Sequence, residues 1–267
     1  MGYRNGKIDE KLFQEYLGLQ RELFAVKEEL AKKNGKDIYA FSPCFVGKNY
    51  FDIEPSKRVM IFGQNSNGWD RDDGKFHNAK EYADYIVEEY WNDGFGWIWQ
   101  EPSGTMCAGN KQKPYHINRS AFWRAAKLVW QDVSGEKIGK KDKWVDNIAQ
   151  SETMRISYHD NSKGNVSDKD EIAKQKEISL KLLKKELQIL KPEIAIFYTN
   201  DDANTYFHEE LKKELSQVYD DLKLVKRCGL IGDTKCIVTY HPQYILRQFG
   251  VKDVAILEEC KTAYERI

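Results

Sequence analysis

The chain has 267 residues, 41% hydrophobic and 31% charged, a composition that fits a folded protein with a substantial core and excludes a disordered one. Lysine plus arginine equals aspartate plus glutamate at 42 each. The zero net charge counts against a strong duplex binder but leaves a local basic groove open.

Leu12, Tyr16, Leu19, Leu23, Val26 and Leu30 recur at steps of three or four, so the sequence predicts an amphipathic helix from Asp9 to Lys33, stopped at Gly35. Residues 1–40 are therefore expected as a helical extension packed on the core, with 41–267 forming one domain. Residues 58–62 follow as a buried strand. The stretch from Asn78 to Trp91 reads as a helix with Tyr82, Tyr85, Ile86 and Tyr90 on one face. Between Gly94 and Asn118 the pattern dissolves into a run rich in glycine, proline and tryptophan, too long for an ordinary connection. Its aromatics either stack on a base or fold back on the loop's own side chains.

A helix from Ser120 to Val133 comes next, then a strand around Trp144 to Ile148 and a polar loop from Ser157 to Asp170. Lys137 to Lys143 holds four lysines and reads as a basic stripe or a solvated loop. Asp170 to Leu190 reads as a long helix that Pro192 stops before strand Ile194 to Tyr198. A helix over Ala203 to Val218, strands near Leu222 to Val225 and Lys235 to Tyr240, and a helix from Val254 to Tyr264 complete the alternation. The expected fold is α/β, three layers in an α/β/α arrangement around a central, mostly parallel sheet.

No apolar run approaches the length of a bilayer span, and the N-terminus lacks the basic, apolar and small-residue order of a signal peptide. A cytoplasmic location and no membrane partner are expected. The five cysteines show no CxxC spacing and the five histidines no HExxH pattern, so neither a metal nor a disulfide framework is expected. No GxGxxG follows a strand, and Trp69 and Asp70 stand where a P-loop needs lysine and serine or threonine. No cofactor is expected.

Two polar turns after apolar runs carry the chemistry. Val59 to Phe62 opens into Gly63-Gln64-Asn65-Ser66-Asn67-Gly68, and Cys236 to Tyr240 opens into His241-Pro242. Ligands of open α/β sheets bind outside the carboxyl ends of strands, where residues distant in sequence meet. The amides of Gln64 and Asn65 suit orienting a water or reading a base edge. A neutral amide has no proton-accepting nitrogen, so Asn65 is not a strong general base. Pro242 ends ladder pairing and holds His241 extended at a strand tip.

A Gly-Gln-(Asp/Asn) turn after the first core strand and a His-Pro turn after the last resemble the two signature motifs of the uracil-DNA glycosylase superfamily. The run LKKELQILKPEIAIFY, ending at Tyr198, is similar to the helix and strand between those motifs, and the resemblance covers roughly residues 55–250. It implies a uracil-DNA glycosylase-like domain that hydrolyses the bond between a damaged or deaminated base and its deoxyribose. Asn65 takes the water-positioning role and His241 stabilises charge on the departing base. Gly63 and Gln64 line the substrate, Asn147 in WVDNIAQ is the nearest match to an asparagine that reads the base edge, and Ile245 falls on the leucine wedge. The implied partner is DNA, single-stranded DNA included, or a nucleotide-like ligand. Ser66 replaces the family's proline, and Gln243-Tyr244 replaces Ser-Pro. These departures leave open a member of the fold that binds a nucleotide or nucleic acid without excising a base. A third reading is an interaction protein whose aromatic loop binds another polypeptide.

Overall fold

A computed structural model of the chain describes residues 7–34, 39–64, 71–72, 76–103, 105–108, 114–139, 142–160, 164–166, 169–201, 207–250 and 253–267. Helix α1 (Glu10–Asn34) leads into strands β1 (Tyr39–Phe41), β2 (Phe45–Val46), β3 (Val59–Gly63) and β4 (Arg71–Asp72). Helix α2 (Ala79–Tyr85) starts where the Asn78 side chain accepts the amide N–H groups of Lys80 and Glu81, and it continues as a π-helical segment, Ile86–Asn92.

The run expected as a loop instead folds into a small antiparallel sheet of β5 (Trp99–Gln100), β6 (Met106–Ala108) and β7 (Tyr115–His116). Phe95 turns inward, Trp97 and Trp99 are half-buried, and Tyr115 stays exposed. Phe95 is fully buried, stacked on Phe45 at 5.5 Å and edge-on to Trp123 at 5.9 Å. Burying such rings removes a large apolar area from water, which favours folding back over exposure.

Helix α3 (Ala121–Ser134) ends at Gly135 in the left-handed conformation. Trp144–Asn147 is a 3₁₀ turn rather than part of a strand, and strand β8 begins after it (Ala149–Glu152). The apolar Trp144, Val145 and Ile148 are buried in both arrangements, so hydrophobicity did not separate turn from strand. The polar stretch after Ser157 holds strands β9 (Ile156–Asp160) and β10 (Gly164–Val166) instead of a loop, because antiparallel pairing of β9 with β1 and of β10 with β9 satisfies the backbone whatever the side chains. Helix α4 (Lys169–Leu190) delivers the chain to β11 (Ile194–Tyr198).

Helix α5 (Glu209–Glu214) is shorter than expected, since Gln217 already pairs with Cys228. Strands β12 (Val225–Ile231) and β13 (Thr234–Thr239) form a hairpin across Gly232-Asp233, with Gly232 at φ 60°. Helix α6 (Pro242–Phe249), not expected from the sequence, starts with proline at its first position. Helix α7 (Asp253–Arg266) closes the chain.

The molecule is mixed α/β. Its six-stranded sheet runs β12-β13-β11-β3-β8-β2. The four central strands β13, β11, β3 and β8 are mutually parallel, and β12 and β2 pair antiparallel at the edges. Phe62, Phe197 and Ser151 share one face by register, and Ser151 accepts a hydrogen bond from Arg155, which pairs with Glu186 of α4. Tyr198, one residue past Phe197, points the other way and meets Phe122 of α3. Helices therefore cover both faces, α4 with α1 on one and α3 with α7 on the other. Among the described residues no helix is long and apolar enough to cross a membrane.

Candidate functional site

The parallel strands bring four chain segments to one edge. β3 ends at Gly63-Gln64, β8 at Glu152-Thr153, β11 at Thr199-Asn200, and β13 at Tyr240-His241. Chain order across them reverses between β3 and β11, since the chain leaves β3 for β8 on one side and reaches β11 on the other. Such a switch point is where an open α/β sheet forms its ligand crevice. The turns singled out in the sequence end strands on either side of β11.

Backbone bonds lock the first turn. Thr153 donates its N–H to the Gly63 carbonyl at 3.0 Å and its hydroxyl to the Gln64 carbonyl at 3.0 Å, while Met154 N–H reaches the same Gln64 oxygen at 3.1 Å. The Gln64 side chain bridges the switch point, with Nε2 donating to the Thr199 carbonyl at 3.0 Å. Its amide is thereby engaged with protein. Asn65 lies outside the described residues, as do Ser66, Asn67 and Gly68.

His241 caps α6. Its Nδ1 accepts the Gln243 N–H at 3.2 Å, so a neutral ring carries its proton on Nε2 as a donor. Burial lowers its pKa and favours that neutral form. The ring lies against Phe122, centroids 6.1 Å apart and 24° from parallel, and Phe122 in turn sits edge-on to Tyr198 at 5.4 Å. One ring of α3 thus joins the ends of β11 and β13.

Glu152 is one of the residues that the sequence did not single out. It pairs in register with Gly63, and a Cβ on Gly63 would overlap its carboxylate oxygen, so the glycine is what lets the carboxyl lie across the end of β3. The side chain is only 7% exposed; Oε1 accepts from Gln150 Nε2 at 2.9 Å and Oε2 is buried without a hydrogen-bond partner. Burial drives its pKa well above the usual carboxyl range, with the Arg155 charge and the Gln150 bond opposing. A protonated carboxyl offers one donor and one acceptor, the pattern that matches an N–H beside a carbonyl.

Asn200 follows on β11, with φ 60°, a left-handed backbone that asparagine tolerates better than most residues. Its N–H reaches the Thr239 carbonyl at 2.8 Å, and its Oδ1 is buried and unpartnered. His208, fully buried, lies 3.2 Å from the Thr153 carbonyl through Nε2; desolvation pushes its pKa down to about 4, so it is neutral and donates there. It braces the segment that holds Gly63 and Gln64. Applying the strand-end rule to β11 as well would have flagged Asn200, whereas Glu152 lay beyond its reach because the strand before it was expected to end at Ile148.

Two sequence candidates stand apart. Asn147 lies in the 3₁₀ turn before β8, at the amino end of that strand, where its Oδ1 accepts from Asn49 at 3.0 Å. It is not brought to the edge that gathers Gly63, Glu152, Asn200 and His241. Ile245 is fully buried on the inner face of α6, so it presents no wedge to solvent.

Among the described residues no group of three or more histidine, cysteine, aspartate or glutamate side chains is arranged to hold a metal ion. Compared with known proteins, the chain matches no protein-family model and no curated protein.

Proposed function

We propose that the carboxyl edge of the central sheet is a base-binding site of a uracil-DNA glycosylase-like protein that hydrolyses the N-glycosidic bond of a uracil-like base in DNA. One observation carries the reading: the Gly63-Gln64 and His241-Pro242 turns, chosen from sequence, end parallel strands of one sheet and flank its switch point. The donor inventory agrees. His241 holds a proton on Nε2, suited to an oxygen of the departing base. Glu152, whose protonated form burial favours, suits in that form the N–H and carbonyl of a uracil-like edge and takes the reading role that the resemblance suggested for Asn147.

In this scheme the glycosidic electron pair leaves with the base while the sugar gains oxocarbenium character. His241 donates a hydrogen bond that strengthens as the base becomes an anion. Water, oriented by Asn65 in the resemblance, adds to the anomeric carbon, and the proton it loses ends on the released base. The target nucleotide must be unstacked first, which costs least in single strands or mismatches.

A second reading, binding without excision, is favoured by Gln243 and Tyr244 in the second turn and by the inward-facing Ile245. The test is release of free base from labelled single- and double-stranded oligonucleotides carrying one uracil, beside an Asn65→Ala, His241→Ala double variant. Release that the variant loses supports excision. Release by both proteins alike, or by neither while the folded protein still binds the strand, overturns it, and the latter favours binding alone.

A further inference from the structure

Helix α6 turns only Pro242 and Ile245 inward. Tyr244, Leu246 and Phe249 remain 46%, 44% and 46% exposed, a concentration of apolar surface on one short helix next to His241. Tyr240, at the end of β13, completes a ring cluster: it stacks on Tyr244 at 5.3 Å and lies 5.7 Å from Phe249, which is edge-on to Tyr244 at 6.2 Å.

The helix that carries these rings bears charge of one sign only, and of the acids on the neighbouring segments Asp221 is paired with Arg266. Residues 240–249 include no acid and one exposed arginine, Arg247. Lys226 on β12 donates to the Tyr240 hydroxyl at 2.9 Å and sits 4.6 Å from that ring's centre. Lys223 is exposed beside Leu224, whose carbonyl takes the Tyr240 N–H. Glu259 of α7 is occupied by the N–H groups of Leu224 and Val225. None of Lys223, Lys226 and Arg247 forms an ion pair with a described carboxylate, whereas Arg227, Lys184 and Arg266 each do.

We infer that the Tyr240–Tyr244–Phe249 face binds a single-stranded segment of nucleic acid, its bases stacked on the rings and its phosphates met by Lys223, Lys226 and Arg247. Resting on the proposed function, the inference adds where the strand beside the target nucleotide runs. A base offers a ring face to protein only when it is not stacked between neighbours, so the occupant is unpaired strand and not duplex. Cations outside any described ion pair, beside the half-exposed rings of Tyr244 and Phe249, complement a polyanion of flat bases, and they would leave an apolar polypeptide face with buried charge.

The experiment is fluorescence anisotropy of the full chain with a labelled oligodeoxythymidine and with a duplex of equal length, across a salt series. The expected result is tighter binding of the single strand. Tyr244→Ala with Phe249→Ala weakens it by about 10-fold or more, since alanine in place of a stacking ring costs that order of affinity. Lys223→Ala with Arg247→Ala weakens it and flattens the salt dependence, each lost contact lowering the slope by about 0.7. All four side chains are exposed, so the variants are expected to fold; circular dichroism and melting temperature check this.

Unchanged affinity in the ring variant overturns the inference, as does absence of strand binding by the wild type. A ring variant that shifts sedimentation from dimer to monomer while strand binding stays constant also overturns it, in favour of self-association. Base release is scored separately with the Asn65→Ala, His241→Ala protein. Ring-dependent strand binding without base release leaves the platform standing and sinks excision; base release with ring-independent binding does the reverse.

Discussion

At the scale of single residues, the candidate site gathers the amides of Gln64 and Asn200 with Glu152 and His241, whose neutral forms burial favours. If the proposed excision holds, His241→Ala is expected to reduce base release about 10²- to 10³-fold, the usual cost of removing one preorganised donor to a developing anion, as measured by single-turnover kinetics. Glu152→Gln keeps one donor and one acceptor and is expected to retain activity, whereas Glu152→Leu loses it. Stability adds a second readout. Because the folded Glu152 binds its proton more tightly than the unfolded chain does, its contribution is present below about pH 4.5 and is lost as pH rises through its raised folded pKa. Glu152→Gln is therefore expected to gain melting temperature relative to wild type at pH 8, and a variant that loses more at pH 8 than at pH 5 would contradict this. His208 has the opposite sign. Its folded pKa of about 4 lies below the unfolded value of 6.5, so the stability from keeping it neutral is present above pH 6.5 and falls away towards pH 4. The full swing is about 3 kcal/mol, and a His208→Gln variant is expected to flatten that acid limb in urea titrations at several pH values.

At the scale of elements, close approach decides what each strand end can hold. Gly63 sits where β3 must pass under the Glu152 carboxyl, so Gly63→Ala is expected to cost about 1–3 kcal/mol by overpacking. Adding Glu152→Ala should return part of that loss, measured as the shift in urea midpoint, because it removes the overlapping group. Periodicity in the sequence located the long elements well: α1, α3, α4 and α7 lie within a few residues of their expected bounds, as does β3. It failed on short ones. The hairpin of β9 and β10 reads as a polar loop, and α6 was hidden behind the His-Pro turn, since a helix of eight residues with two inward positions has too few repeats to show a period. The strand expected over Trp144 to Ile148 failed for the same reason, as its apolar residues fit a strand and a 3₁₀ turn equally.

At the scale of the whole molecule, a buried polar network ties the N-terminal helix to the core. Arg155 and Glu186, both fully buried, pair at 2.7 Å, and Arg155 also donates to Ser151 and to the Ser42 carbonyl. Tyr16 of α1 lies beside Glu186 and accepts from Gln20 at 2.7 Å. Glu186→Ala is expected to cost about 3–5 kcal/mol, since it leaves a buried guanidinium uncompensated. Replacing both members with apolar residues should cost clearly less than the sum of the two single changes, a comparison that equilibrium urea unfolding provides. A protein in which the double change costs the full sum would show that the pair contributes no coupling. The sequence by itself determined the α/β alternation, the long amphipathic helices and the two strand-end turns, because these depend on local periodicity and on the backbone limits of glycine and proline. Only the tertiary structure decided that four strand ends share one edge, that Glu152 and Asn200 join His241 there while Asn147 does not, and that the rings of α6 face outward. Strand order and register are set by long-range pairing and burial, and local sequence carries no record of which distant residue lies opposite.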